Sequence, residues 1–278
     1  MSVYYDAGLI GDYFDNYGER EWARLDANVE SRISFLLHRA LLEEFVRAGD
    51  EVLEAGAGPG RFTIELAKLG ARITVGDIST VQLELNRTRV EAAGQIAGAV
   101  VARKVLDIVD LSEFADETFD AVVAYGGPLS YVFERADDAL GSLLRVTKPG
   151  GHVLLSVMSL MGATRKFLPG VMRWARERSL EDVEQVIATG DQSGEFGAGH
   201  VCHMYRWAEF EALLRRHSCT IVAASAANFL SVNHDDALSE IEADPVLWEK
   251  FLGWERDACR QPGALDGGTH IIAVVRRT

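Results

Sequence analysis

The sequence predicts an α/β fold, a doubly wound parallel sheet covered by helices on both faces, and three observations carry that prediction. From Glu51 onward, short apolar runs alternate with segments of helical periodicity, the pattern of strands that are buried on both sides. Acids close the first three runs at Glu54, Asp77 and Asp107, which places carboxylates at the carboxyl ends of strands, where ligand crevices open in such sheets. The turn after the first run is lined with glycine, at Gly56, Gly58 and Gly60.

The elements follow in order. Between Asn28 and Phe45, the residues Val29, Ile33, Leu36, Leu37, Ala40 and Leu41 recur at helical spacing, with Glu30, Arg32, Arg39 and Glu43 on the opposite side, so this segment is an amphipathic helix. "EVLEA" reads as a strand before the helix "RFTIELAKLG". "RITVGD" precedes a helix that starts at Ser79, with Gln82 three residues on as its capping-box partner. "VVARKVLDI" and "FDAVVAYG" are the next strands, and the helix "RADDALGSLLRVT" stops at "KPGG" before the strand "HVLLSV". After Ser156 the rhythm breaks. Residues 158–199 hold at least one helix, "MRWARERSLEDVEQVIATG", and a glycine-rich end but no convincing strand, as expected of an insertion after the fifth strand. Regularity returns with "HMYRWAEFEALLRRHS", then the strands "CTIVAASA" and "THIIAVVRR", separated by the helical "DALSEIEADPVLWEKFLGWERDAC".

At 278 residues the chain can bury one large core, and with 48% hydrophobic and 25% charged residues it has the composition of an ordinary soluble protein. A formal net charge of -14 argues against nucleic acid and anionic membrane as partners. Arg173, Arg176 and Arg178 near Lys166 alternate with acids and read as a solvated helix face. Cys202, Cys219 and Cys259 are too few and too scattered for a disulfide framework or a metal site. The N-terminus has no apolar core of signal-peptide length and no stretch reaches membrane-spanning length. A cytoplasmic monomer or homodimer is therefore expected.

The glycine register discriminates among nucleotide sites. A dinucleotide fingerprint needs a small residue where this chain has Arg61, and no Gly-Lys-Ser/Thr follows as a phosphate loop would require. Glu54 would repel a diphosphate and stabilise an ammonium. Asp77 stands where an acid takes both ribose hydroxyls, and Asp107 is placed to accept from an adenine amino group, with Ile78 and Ile108 as flat apolar neighbours of the base. An amino acid joined to adenosine satisfies all three carboxylates. Singly, Gly58 and Gly60 also fit a bare tight turn, Asp77 fits a helix N-cap, and Asp110 or Asp116 competes with Asp107.

With "LEAGAGPGR", "VGDIS", "VLDI", "FDAVVAYGGPLSY" and "LLRVTKPGGHVLLSV" in that order, the chain resembles the class I S-adenosylmethionine-dependent methyltransferases of the small-molecule type over residues 28–157 and the last two strands. The resemblance implies a Rossmann-like, seven-stranded, mostly parallel sheet whose last strand is antiparallel. It implies S-adenosyl-L-methionine as cofactor, with Glu54, Gly56, Gly58 and Gly60 along the methionine part, Asp77 at the ribose, Asp107 at the adenine, and Tyr125 and Gly126 beneath the sulfonium. Where some relatives carry Asn or Asp followed by Pro-Pro and an aromatic residue, this chain has Tyr125-Gly126-Gly127-Pro128, which favours a small-molecule acceptor over a nucleobase or glutamine.

The acceptor should sit at the carboxyl ends of the strands, under segments outside the core sheet. Residues 1–27 are expected to form a helical lid, with Tyr13, Phe14, Tyr17 and Trp22 as its aromatic cluster, or else a helix that simply packs on the domain of residues 28–278. The insertion 158–199 is expected to shape part of the acceptor pocket. In "GAGHVCHMYRW", His200 and His203 are candidates for taking a proton from the acceptor, and Tyr131 for lining its pocket; a zinc reading of the histidines fails for want of further ligands. Methyl transfer to oxygen or nitrogen, of the kind that serves secondary metabolism, is the leading expectation. Non-methyl chemistry of the same cofactor, such as cyclisation or aminocarboxypropyl transfer, and a cofactor-binding module without catalysis are the alternatives.

Overall fold

The computed structural model describes residues 4–192 and 200–278, so most of the glycine-rich end of the insertion lies outside the described residues. In chain order, α1 (Ala7–Tyr17), α2 (Arg20–Arg24) and α3 (Val29–Phe45) precede β1 (Glu51–Ala55), α4 (Arg61–Lys68), β2 (Arg72–Asp77), α5 (Thr80–Ala92), β3 (Val100–Val105), β4 (Phe119–Ala124), α6 (Ala136–Val146) and β5 (Thr147–Met158). The insertion carries α7 (Leu160–Lys166), α8 (Leu168–Glu177), α9 (Leu180–Thr189) and the short pair β6 (Asp191–Gln192) and β7 (Cys202–His203). The chain then makes α10 (Trp207–Arg215), β8 (Cys219–Ala226), α11 (Asp235–Glu242), α12 (Pro245–Cys259) and β9 (His270–Arg277).

Seven strands form the main sheet in the order β3-β2-β1-β4-β5-β9-β8. β1 to β5 pair in parallel, and β9 lies antiparallel between β5 and β8. Strand order reverses between β1 and β4, and the crevice beyond their carboxyl ends is where such sheets hold ligands. Successive side chains of each strand enter opposite layers. Leu53, Val122 and Val153 join Leu140, Leu143 and Phe210 on one face; Val52, Val123 and Leu154 join Leu41, Leu42 and Leu66 on the other. This double burial explains why the strands read as unbroken apolar runs. Among the described residues no helix is long and apolar enough to cross a membrane.

Four local expectations need correction. Glu30 is not on a solvated face: it is 3% exposed, and it accepts from Asn228 Nδ2, from the Asn233 amide and from Lys166, which ties α3 to α7. Lys166 is accordingly part of a half-sheltered ion pair, not of a solvated basic face. The capping box at α5 is only half formed, because Ser79 accepts from the Gln82 amide while the Gln82 amide group instead donates to the Phe14 and Gly18 carbonyls. The insertion is not strandless, since β6 pairs with β7; a two-residue strand is too short to show alternation. The stretch 235–259 is two helices, broken where Asp244 caps the amides of Val246 and Leu247 and Pro245 offers none.

Candidate active site

A cavity with about 910 Å3 of non-protein space, part of it open to solvent, lies over the carboxyl ends of β1, β2 and β4. Glu54, Gly56, Gly58, Asp77, Ile78, Asp107, Ile108, Tyr125, Gly126 and Tyr131 all line it, so the crossing of the sheet brings together residues far apart in sequence.

The loop after β1 holds its shape through glycine. Gly56, at φ +78°, passes so close to Pro128 that a Cβ would meet its ring at 2.4 Å, and the Gly56 and Ala57 amides donate to the Gly76 carbonyl. Gly58, at φ +52°, donates its amide to Asp77 Oδ2 at 2.7 Å. Gly60 does not line the cavity; in the left-handed conformation it opens α4 against Asn86, the turn role.

Glu54 is 3% exposed at the end of β1. Its Oε2 accepts from Thr63 Oγ1 at 2.5 Å, Thr63 in turn accepts from Asn86 Nδ2, and Asn86 Oδ1 accepts from Arg103. Burial pushes the Glu54 carboxyl up to about 8, against the hydrogen bond from Thr63. A desolvated carboxyl of this kind is one for which a cationic ligand supplies the missing counter-charge. Thr63, Asn86 and Arg103 escaped sequence reasoning because each looks like an ordinary helix or strand residue until the fold stacks them behind Glu54.

Asp77 holds the loop and α5 together, since Oδ1 accepts from the Ser79 amide while Oδ2 takes Gly58. Each oxygen keeps a further lone pair for a ligand hydroxyl, and burial pushes the carboxyl up to about 6 despite those two amides. Gln82, also on the cavity wall, has a buried Oε1 without a partner. Asp107 Oδ1 accepts from the Val109 amide, and the Tyr5 hydroxyl reaches its carboxylate. The unpaired acceptor of Gln82, the spare lone pairs of Asp77, an ammonium-seeking Glu54 and apolar walls at Ile78, Leu106 and Ile108 fit an amino acid joined to a nucleoside.

The N-terminal helices roof this cavity, but of the four aromatic residues expected there only Phe14 reaches it. Tyr5, Ile10, Phe14, Glu21, Arg24 and Leu25 line it. Tyr13, Tyr17 and Trp22 do not: Tyr13 stacks on Tyr17 and on His200, and Trp22 lies between the Arg61 and Arg89 guanidiniums at 4.0 and 4.2 Å while its carbonyl accepts from Arg61. Asp15 fastens α1 to α5 by accepting from Ser79 Oγ at 2.5 Å.

On the β4 side, Tyr131 Oη and His200 Nε2 lie 2.8 Å apart, with Phe14 packed edge-on against Tyr131. Burial lowers the His200 pKa, so the ring is neutral near pH 7. His203 stands apart from the cavity. It is bonded to Asp191 Oδ1 at 2.7 Å and Glu209 Oε1 at 2.9 Å, and those carboxylates, Glu209 first, raise its pKa although burial pulls the other way. It fastens β7 to β6 and α10. Among the described residues no group of three or more His, Cys, Asp or Glu side chains is arranged to hold a metal.

The family model for a methyltransferase domain matches residues 52–151, the stretch that builds the glycine loop, Asp77, Asp107 and Tyr125. Over these residues the chain is similar to a methyltransferase domain. The chain is similar to a demethylmenaquinone methyltransferase of Thermobifida fusca, 37% identical over 112 residues, which are 40% of this chain and 45% of that one. Another such enzyme, of Corynebacterium urealyticum, is 32% identical over 170 residues, 60% of this chain and 65% of its own. The chain thus spans about half the length of the curated relatives it matches. In fold, the chain aligns with a structure described as a possible histamine N-methyltransferase of Thermotoga maritima, at TM-score 0.61 and 16% identity, covering 97% of this chain and all of that one.

Proposed function

We propose that the protein transfers a methyl group from S-adenosyl-L-methionine to a small-molecule acceptor. The observation that carries this reading is the single cavity wall on which buried Glu54 and Asp77 and half-buried Asp107 meet the glycine loop, close to the Tyr131–His200 pair. Glu54 would hold the ammonium, Asp77 and Gln82 the ribose, and Asp107 the adenine between Ile78 and Ile108. The Gly58 backbone, Tyr125 and Gly126 would lie beside the sulfur. When bound, the cofactor supplies an electrophilic methyl group whose leaving group departs as a neutral thioether.

The chain's own task is then to align the acceptor and keep water out. The roof of Tyr5, Ile10, Phe14 and Leu25 serves the second purpose. The Tyr131–His200 pair faces the acceptor: the Tyr131 hydroxyl can take a proton from an acceptor hydroxyl or amine as it passes its own to neutral His200, so that no free tyrosinate forms. The acceptor atom is oxygen, nitrogen or a ring carbon, the last because C-methyltransferases of quinone biosynthesis are among the proteins this chain resembles. Three cysteines without disulfides suit a cytoplasmic setting. A direct test incubates the protein with the cofactor and hydroxylated aromatic acceptors, then analyses the spent cofactor by mass spectrometry. Adenosylhomocysteine supports methyl transfer; methylthioadenosine would move the reading to aminocarboxypropyl chemistry, and unchanged cofactor with every acceptor would leave a binding module.

A further inference from the structure

Behind the cavity wall, the structure leaves two facing polar groups unsatisfied. His38, in the middle of α3 and 4% exposed, packs edge-on against the Tyr125 ring at 4.8 Å between centroids. Its Nδ1 lies 2.8 Å from the Ser34 carbonyl. A carbonyl can only accept, so Nδ1 carries the proton, and in the neutral ring Nε2 is left as a bare acceptor. That Nε2 is buried and has no partner, and so is the hydroxyl of Tyr125, which is also 4% exposed. Buried polar atoms are almost always paired, and two orphans on touching rings mark a place where a ligand group belongs.

The surroundings define that ligand. Phe62, tilted against His38 and edge-on to Tyr125, and Tyr125 itself line the cavity, and Phe14 and Tyr131 add aromatic surface to it. The groups facing His38 from neighbouring elements are Arg24 of α2, Tyr125 after β4 and His270 of β9, whose ring is 6.4 Å away. Burial first, and then the positive charge of Arg24, push the His38 pKa down to about 4 although the Ser34 carbonyl pulls it up. The His270 pKa is lowered as well, again by burial first. Both rings are therefore neutral near pH 7, and a bare imidazole nitrogen seeks a hydrogen-bond donor.

We propose that the methyl acceptor is a ring compound bearing a hydroxyl or N–H group, and that His38 Nε2 and the Tyr125 hydroxyl receive that group in the corner behind the Phe62 and Tyr125 wall of the cavity. The inference rests on the methyl-transfer reading and narrows its substrate class. It makes His38, which no motif singled out, a specificity-determining residue: a site with a buried unpaired acceptor discriminates strongly against analogues that lack the matching donor.

The test uses the full chain loaded with adenosylhomocysteine and, under anaerobic conditions, 1,4-dihydroxynaphthalene as probe, with 1,4-dimethoxynaphthalene as the analogue without a donor. Calorimetry should show the dihydroxy probe binding about 10- to 100-fold more tightly than the dimethoxy one. The 15N resonance of His38 Nε2 should shift on adding the former only. His38→Leu should abolish the preference and His38→Gln, whose amide oxygen accepts, should restore part of it. Tyr125→Phe, which keeps the ring packing, should reduce the preference severalfold in a protein that melts no lower than wild type. Equal binding of the two probes by wild type, or an unmoved His38 resonance, means that the corner holds water only and overturns the proposal. Adenosylhomocysteine binding by wild type, measured first, separates that outcome from failure of the methyltransferase reading.

Discussion

At the scale of single residues, two buried carboxyl groups at strand ends decide the site, and burial raises the pKa of both. Glu54 is pushed to about 8 and Asp77 to about 6, both above their values in an unfolded chain. Between about pH 7 and 8, above the range in which the lowered pKa values of His38, His200 and His270 make stability rise with pH, the folded protein keeps the Glu54 proton that the unfolded chain has lost, so the stability of the ligand-free protein should fall as pH rises from about 7 to 8. Denaturant titrations across that range check the slope; a rising stability would contradict it. Pairing with an ammonium should draw the Glu54 proton off, so cofactor binding should tighten with pH over the same interval and release protons, which calorimetry in buffers of different ionisation enthalpy detects. Tyr131→Phe should lower kcat by on the order of 100-fold, as loss of a proton-transfer partner does, with adenosylhomocysteine affinity retained. An unchanged kcat would remove the Tyr131–His200 pair from the chemistry. The acids were legible in the sequence because each terminates an apolar run. His38 was not, since on a helix it looks like any other residue between Leu37 and Arg39, and only the fold sets it against Tyr125.

At the scale of elements, α1 and α2 are fastened to the residues that build the cavity. Asp15 bonds Ser79, Gln82 donates to the Phe14 and Gly18 carbonyls, and Trp22 is clamped by Arg61 and Arg89. Deleting residues 1–27 should accordingly speed adenosylhomocysteine release by more than about 10-fold, given that several hydrogen bonds and two cation–π contacts are lost; stopped-flow dissociation measures it, and an unchanged rate would make these helices mere packing. On the far side of the domain, Lys166→Ala leaves Glu30 buried with a missing counter-charge and should cost about 3 kcal/mol in urea denaturation, in line with breaking a buried pair. Sequence periodicity located α3, whereas the aromatic residues of 1–27 were a poor guide to which side chains face inward. A short helix buries its stripe according to what it packs on, and α1 turns Ile10 and Phe14 inward rather than Tyr13 and Tyr17.

For the whole molecule, the order β3-β2-β1-β4-β5-β9-β8 puts the ends of β1, β2 and β4 beside one another at the strand reversal. That arrangement was legible because strands buried on both faces leave long apolar runs and the loops between them carry glycine and acid. The insertion was less legible: α8 has no buried residue and β6 and β7 are two residues each, so neither leaves a periodic signature. In the reading proposed above, the cavity over the glycine loop binds S-adenosylmethionine through Asp77. Titration calorimetry of adenosylhomocysteine into wild type and Asp77→Ala tests it most directly. One site per chain, weakened by about 10- to 100-fold in the variant, is the predicted result; no heat of binding with wild type, or equal affinity for both proteins, would contradict it.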